Sequence, residues 1–464
     1  MTERCLATVL IGFDAELGRA VEAEIENCGN PLRFDIRKRL NAAKVIHFAS
    51  VSVVGISSTL SYIMIELSAD AGSDAALRVF ANALAPELTR ILDAAAIPRP
   101  VELGSWLIGK SLRIGGGVFS TCGLLFDGSP EMTVSRIRRE DRLVRWIVNR
   151  VDLLRGAGSA EEKLAGLRRA LWRDGNFKPA FVPQPAPFLQ PAPASDTVLE
   201  PLKNWARIFF GLFIWPSLVF PILFMILAFL PQRGGWPGHI ICGFFEAVIL
   251  LGLGGGAFLL AIRRREVLDP APVTRPDKTD LEKILERDNW NAQNILVTTS
   301  VLKPGWLRRA SLYAVLFAIK TLLPIFWAPG RLGNINDIHF ACWVLAPKSD
   351  VLIFRSHYDG SWLHYVEDFV VRAPQGVSAI WSNTQNFPRT KWLVQDGARD
   401  GGRFLQWART QTRPASFLYS AYPGLSMERI RLHARIARAI ATGAMDEGVR
   451  GWLASLGDAD GGDF

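Results

Sequence analysis

Runs of alternating apolar residues recur along this chain, each followed by a stretch whose apolar positions repeat every three to four residues. The first kind of pattern predicts strands with one buried face, the second amphipathic helices. ATVLIGF at 7–13 precedes AELGRAVEAEIEN, VIHFAS at 45–50 and SYIMIELSADAG at 61–72 are two further strands, and LRVFANALAPELTRIL at 77–92 is helical. The same order returns far downstream. NILVTTSVL precedes WLRRASLYAVLFAIKTLL, DIHFAC at 337–342 and DVLIFRSHYDG at 350–360 are strands, and WLHYVEDFVV is helical.

The recurrence holds its register. His47 falls on His339 at an offset of 292, and FDGSPEMTVSRIRREDRLVRWI from Phe126 falls on YSAYPGLSMERIRLHARIARAI from Tyr419 at 293. Pro130 then meets Pro423, Arg136 meets Arg429, Ile137 meets Ile430 and Arg138 meets Arg431. A period this long predicts a duplicated domain rather than short stacked repeats. Each copy opens as strand, helix, strand, strand, helix, strand, the split βαβ or ferredoxin-like order.

A third pattern interrupts the second copy's arrival. Residues 208–231 read IFFGLFIWPSLVFPILFMILAFLP without a charge, and 240–262 read IICGFFEAVILLGLGGGAFLLAI with Glu246 alone. Each is long enough to span a bilayer, which takes about 20 apolar residues. Lys203 and Arg207 precede the pair, Arg263, Arg264 and Arg265 follow it, and only Arg233 lies between. The positive-inside rule then places two spans in the inner (cytoplasmic) membrane with both termini cytoplasmic. A further apolar stretch, Ser311 to Gly330, carries Lys320 at its middle and stands where copy one has a soluble helix, so it reads as a helix resting on the membrane.

The expected fold class is therefore α+β: two tandem ferredoxin-like repeats with an inserted transmembrane helical hairpin. The divisions are a first repeat at 1–155, a helix and Pro-rich linker at 156–205, the hairpin at 206–265, a linker helix at 266–290, a second repeat at 291–445 and a tail at 446–464. The Pro-rich KPAFVPQPAPFLQPAPAS at 178–195 is expected to be stiff and extended.

Composition sharpens this picture in two respects. Charged residues are 21% against 49% hydrophobic, and Lys and Arg exceed Asp and Glu to give a net charge of +9. With no zinc-finger or RNP-type motif, that charge points to anionic lipid rather than nucleic acid. Five scattered cysteines without a Cys-x-x-Cys pair suggest neither a disulfide framework nor a zinc site.

The candidate chemistry sits in copy two. Alternation places Arg355, His357 and Asp359 on one strand face with Val351 and Ile353, where an apolar core would be usual. A His flanked by Arg and Asp could act as acid, base or ligand. The plain alternative is that Asp359 and Gly360 turn the strand, Ser361 caps the next helix and Arg355 pairs with Asp359. Copy one has Glu66, Ser68 and Asp70 at these places. His47 and His339, present in both copies, are expected to be structural. In MERIRLHARIARAIA the apolar stripe of Met427, Ile430, Ala434 and Ala437 leaves the arginines on a solvated face, with His433 exposed unless it turns inward as a haem ligand.

The run NDIHFACWVLAPKSDVLIFRSHYDGSWLHYVEDF, with WSNTQNFPRTKWL and GARDGGRFLQW, resembles a group of bacterial membrane-associated proteins in the dimeric α+β-barrel (ferredoxin-like) superfamily. That superfamily includes dye-decolourising peroxidases, chlorite dismutases and small monooxygenases. The resemblance implies two sheets face to face around a pocket for haem or an apolar substrate. SHYDG at 356–360 matches the last two letters of the peroxidase Gly-x-x-Asp-Gly signature and lacks its first Gly. Two functions follow as expectations. One is a membrane-anchored peroxidase- or monooxygenase-like enzyme with Arg355, His357 and Asp359 at an apolar or lipid-derived ligand, His433 being the haem ligand. The other is a non-catalytic membrane-bound docking or lipid-binding module.

Overall fold

The computed structural model describes residues 4–30, 32–115, 121–154, 158–190, 236–270, 292–333, 335–413 and 415–456, with 226, 282 and 286 besides. Two mainly antiparallel sheets carry the described chain, together with a short β10–β11 hairpin (Thr390–Lys391 and Gln395–Asp396). The first sheet uses β1 (Cys5–Asp14), β2 (Ile46–Gly55), β3 (Leu60–Ala69) and the short β4 (Ser111–Leu112). The second uses β5 (Ile114–Gly115), β6 (Thr121–Asp127), β7 (Gln293–Val301), β8 (Ile338–Leu345), β9 (Val351–Asp359) and β12 (Thr412–Arg413). β13 (Phe417–Ser420) returns to the first sheet, so the orders are β13-β2-β3-β1-β4 and β12-β7-β9-β8-β6-β5.

The two halves of the chain exchange a strand. β6 lies against β8, with Phe126 opposite Ala341, while β13 lies against β2, with Tyr419 opposite Ala49. Neither sheet is completed by one half of the sequence alone.

Strand alternation sorts each sheet into two faces. Ile63, Ile65 and Leu67 of β3 join the helices Gly18–Gly29, Ser73–Ala83 and Ala85–Ala94 in one core. Leu352, Phe354 and Tyr358 of β9 meet Trp362, Tyr365, Trp381 and Trp407 in another. Each such side chain, fully buried, contributes about 1.5–3 kcal/mol. The opposite faces meet each other: Leu10, Val54 and Met64 from the first sheet pack on Val344, Val351 and Ile353 from the second. A separate cluster joins helices Val134–Val148, Ala160–Arg173 and Met427–Thr442 to Glu447–Ser455, so the expected C-terminal tail begins as a packed helix anchored by Val449 and Leu453.

The Pro-rich stretch departs from expectation over its described part. It forms short 3-10 turns at Gly175–Phe181 and Pro187–Leu189, and Phe188 is buried in the first core. An apolar ring beside an open core edge gains more from docking than from remaining extended.

The placement in the inner membrane with two spans and both termini cytoplasmic is corrected. Among the described residues one helix, Trp306–Phe326, is long and apolar enough to cross a membrane, by length and composition only. It is the helix that the sequence lays on a surface rather than through it. The first expected span, 208–231, lies outside the described residues apart from Ile226, as does 271–290 of the linker helix apart from 282 and 286. The second expected span falls within helix Trp236–Leu268, whose last turns belong to the folded body. There Ile262 and Glu266 are buried, and Glu266 accepts hydrogen bonds from Thr390 Oγ1 at 2.8 Å, Trp392 N at 2.9 Å and Leu393 N at 2.7 Å.

Candidate functional site

Between the sheets, beside the apolar cluster, lies a set of buried polar side chains. β1 supplies Thr8, β2 Ser50, β3 Glu66 and Ser68, β8 Cys342, and β9 Arg355 and His357. Period-two alternation turns all of them inward, because their neighbours along each strand fill the helix-covered cores. Arg355 Nε stands 3.0 Å from Glu66 Oε2, and the guanidinium also donates to Ser50 Oγ. Arg355 is thus paired across the sheets and not with Asp359.

The electrostatics of this cluster follow from burial. Burial pushes the Glu66 carboxyl up while Arg355 pulls it back, and burial lowers Arg355 while Glu66 opposes that. A guanidinium keeps its proton in proteins, so Glu66 faces the positive charge of Arg355. Burial, with Arg355 and His339 nearby, drives His357 well below the ordinary imidazole value, so it is neutral. Its ring lies against Phe48 at 4.7 Å between centroids. Burial, with Glu66 beside it, raises the Cys342 thiol well above its usual value, which disfavours the nucleophilic thiolate.

Glu66, Ser68, Arg355 and His357 border a cavity of about 10 Å³, the size of roughly one water. Glu66 Oε1, Ser68 Oγ, Arg355 Nη1 and His357 Nε2 are buried there without a hydrogen-bond partner among the described residues. Haem does not fit this space. Nor does His433 line it: His433 is buried on helix Met427–Thr442, its Nδ1 3.9 Å from Asp141 Oδ1 on helix Val134–Val148. Burial lowers it to about 4, against the pull of Asp141, so the expected exposure of His433 is corrected. The solvated arginine face holds at Arg429 and Arg438, which are exposed, and is corrected at Arg431. Arg136 and Arg431 are buried, the first on Glu140 at 2.7 Å and the second on the carbonyls of Gly330 and Asn336.

Asp359 belongs to a different arrangement. Its Oδ1 accepts from His339 Nε2 at 2.8 Å, and its Oδ2 accepts from the Met427 amide at 2.6 Å, at the start of helix Met427–Thr442. Asp70 repeats both contacts. Its Oδ1 is 2.8 Å from His47 Nε2 and its Oδ2 is 2.7 Å from the Val134 amide, the start of helix Val134–Val148. A carboxylate at a helix N-terminus is stabilised by unpaired amides and by the helix dipole. Burial alone would raise the Asp70 carboxyl, but the bonds from His47 and Val134 and the charge of Arg4 bring it below its usual range. His47 is held low by burial and by Arg4, and its other ring nitrogen is 2.8 Å from Tyr422 Oη. The two histidines expected to be structural are fully buried and each bonds an aspartate, while His339 Nδ1 has no hydrogen-bond partner among the described residues.

Arg355 and His357 therefore share one cavity, Asp359 serves a helix start, and His433 lies in a helical layer. The sequence named Glu66 only as the counterpart of Arg355. That the two meet was not readable from strand alternation, which gives a residue's face but not what stands opposite. No family model, curated protein or solved structure matches the chain.

Proposed function

We propose that this chain is a non-catalytic docking module made of two tandem ferredoxin-like repeats, and that its partner is a lipid surface bearing anionic headgroups. The repeat assignment is supported by contacts that recur at corresponding positions. Besides the two Asp-to-helix bonds, Arg4 donates to the carbonyls of Ser129 and Met132, and Gln293 donates to those of Tyr422 and Leu425. Each half runs βαββαβ to a short fourth strand, β4 or β12, beside β1 or β7.

One observation carries the docking part. Of the apolar window in helix Trp306–Phe326, only 22% is buried. Leu312, Leu316 and Ile325 face the body, while Trp306, Tyr313, Ala314, Pro324 and Phe326 are exposed together with Arg309 and Lys320. The helix has no acidic residue. An apolar outer face flanked by cations suits the boundary between headgroups and acyl chains. The enzyme reading asks for a ligand-sized pocket at Arg355, and the water-sized cavity there offers it no support.

The test uses the full chain in vesicles, with an environment-sensitive fluorophore on Ala314→Cys and the parent protein as labelling background. Quenching by nitroxide-bearing lipid, stronger when the vesicles contain anionic lipid, is expected. A label that stays unquenched in protein-bearing vesicles refutes docking through this helix.

A further inference from the structure

Strand β8 is preceded by Asp337, and helix Trp362–Arg372 places His364 and Asp368 four residues apart on one face. One ligand atom from each of the three, a carboxylate oxygen or an imidazole nitrogen, lies within 4.8 Å of the others. Asp368 is only 6% exposed. Its Oδ1 accepts from Arg372 Nε at 2.9 Å, whereas its Oδ2 is buried with no hydrogen-bond partner among the described residues. A buried carboxylate oxygen without a donor is costly unless something positive meets it.

The other half of the chain supplies a comparison. Asp337 corresponds to Val45: the Asp337 carbonyl accepts from the Asp359 amide at 3.0 Å, and the Val45 carbonyl from the Asp70 amide at 2.8 Å. Counting from the equivalent acids Asp359 and Asp70, His364 corresponds to Ala75 and Asp368 to Val79. All three positions are thus apolar in one half and ligand-bearing in the other. The backbone needs no polar group at any of them.

We propose that Asp337, His364 and Asp368 form a binding site for a divalent transition-metal cation of the zinc class. One imidazole and two carboxylates are a borderline-to-hard ligand set suited to Zn²⁺, Mn²⁺ or Co²⁺, and three protein ligands leave further positions for water. A cation also resolves the crowding of charge here. Asp337 is raised by burial and then by the negative charges of Asp359 and Asp368, with His364 and Arg372 opposing. Arg372 now supplies the nearest positive charge to Asp368 and would share the carboxylate with the metal. The site lies apart from the cavity of Arg355 and from the outer face of helix Trp306–Phe326, so it stands or falls independently of the docking proposal.

Titration of the full chain in mild detergent with Zn²⁺, followed calorimetrically, is the test, with Co²⁺ as the spectroscopic probe. One ion per chain is expected, with a Co²⁺ spectrum lacking a thiolate charge-transfer band. His364→Ala changes an exposed helical position and leaves the fold intact; Asp337→Asn keeps the side-chain shape. Each is expected to weaken Zn²⁺ at least about tenfold and to abolish the rise in Tm that Zn²⁺ gives the parent. An absence of stoichiometric binding by the parent overturns the proposal, and so does undiminished affinity in either variant.

Discussion

Glu66 and Arg355 stand at corresponding places in the two halves of the chain, and they pair with each other at 3.0 Å. The equivalence follows from Asp70 and Asp359, each four residues further on and each holding a helix start. One strand position thus carries an acid in one half and a base in the other, and the sheets meet there.

Removing one member of this pair should cost more than removing both. Arg355→Met leaves the Glu66 charge buried without compensation, a loss of about 3–5 kcal/mol. Glu66→Leu combined with Arg355→Met should recover most of it. Denaturant unfolding of both single variants and the double variant measures the coupling. A double variant as unstable as the sum of the singles would show that the two side chains are not coupled.

Acid should destabilise the helical layer through His433. An imidazole ordinarily protonates near pH 6.5, and burial holds His433 at about 4 in the folded chain. Because the folded value is the lower, its contribution is full above pH 6.5 and is lost as pH falls toward 4, by an amount on the order of 3 kcal/mol. His433→Gln should flatten the stability profile across that window, and an unchanged slope would assign the acid sensitivity elsewhere.

Gly128 should not tolerate a side chain. A Cβ there would come within 1.9 Å of the Ile338 carbonyl oxygen, at the point where the Gly128 amide donates to the His339 carbonyl at 2.8 Å. The corresponding residue in the other half, Ala421, makes the same bond to the His47 carbonyl at 2.9 Å and carries its Cβ. Gly128→Ala should cost about 1–3 kcal/mol, whereas Ala421→Gly should cost no more than about 1 kcal/mol. Thermal melts of the two variants read the asymmetry.

The outer face of helix Trp306–Phe326 should matter to docking and not to folding. Trp306 is 76% exposed, so Trp306→Ser should leave the unfolding free energy within about 0.5 kcal/mol of the parent. The same change should reduce lipid quenching of a label at Ala314→Cys. A large loss of stability would mean that Trp306 packs on the body.

The sequence by itself determined the strands and the face each residue takes. Ala7, Val9 and Ile11 separate from Thr8 and Leu10, and Arg355 and His357 from Phe354 and Tyr358, because a strand's side chains alternate whatever lies beyond them. The recurrence of the Asp359 surroundings at Asp70 was legible for the same local reason: an acid, a turn and a helix follow one another within a few residues. The sequence did not determine which elements meet. That β6 completes the sheet of β8, that Arg355 finds Glu66 rather than Asp359, and that Arg136, Arg431 and His433 are covered all depend on residues far away along the chain. Helical periodicity could only rank their face as polar, and a polar face is buried whenever a second helix with matching charges and carbonyls closes over it. Asp337, His364 and Asp368 are brought together in the same way, by the packing of a helix against the start of a strand more than twenty residues before it.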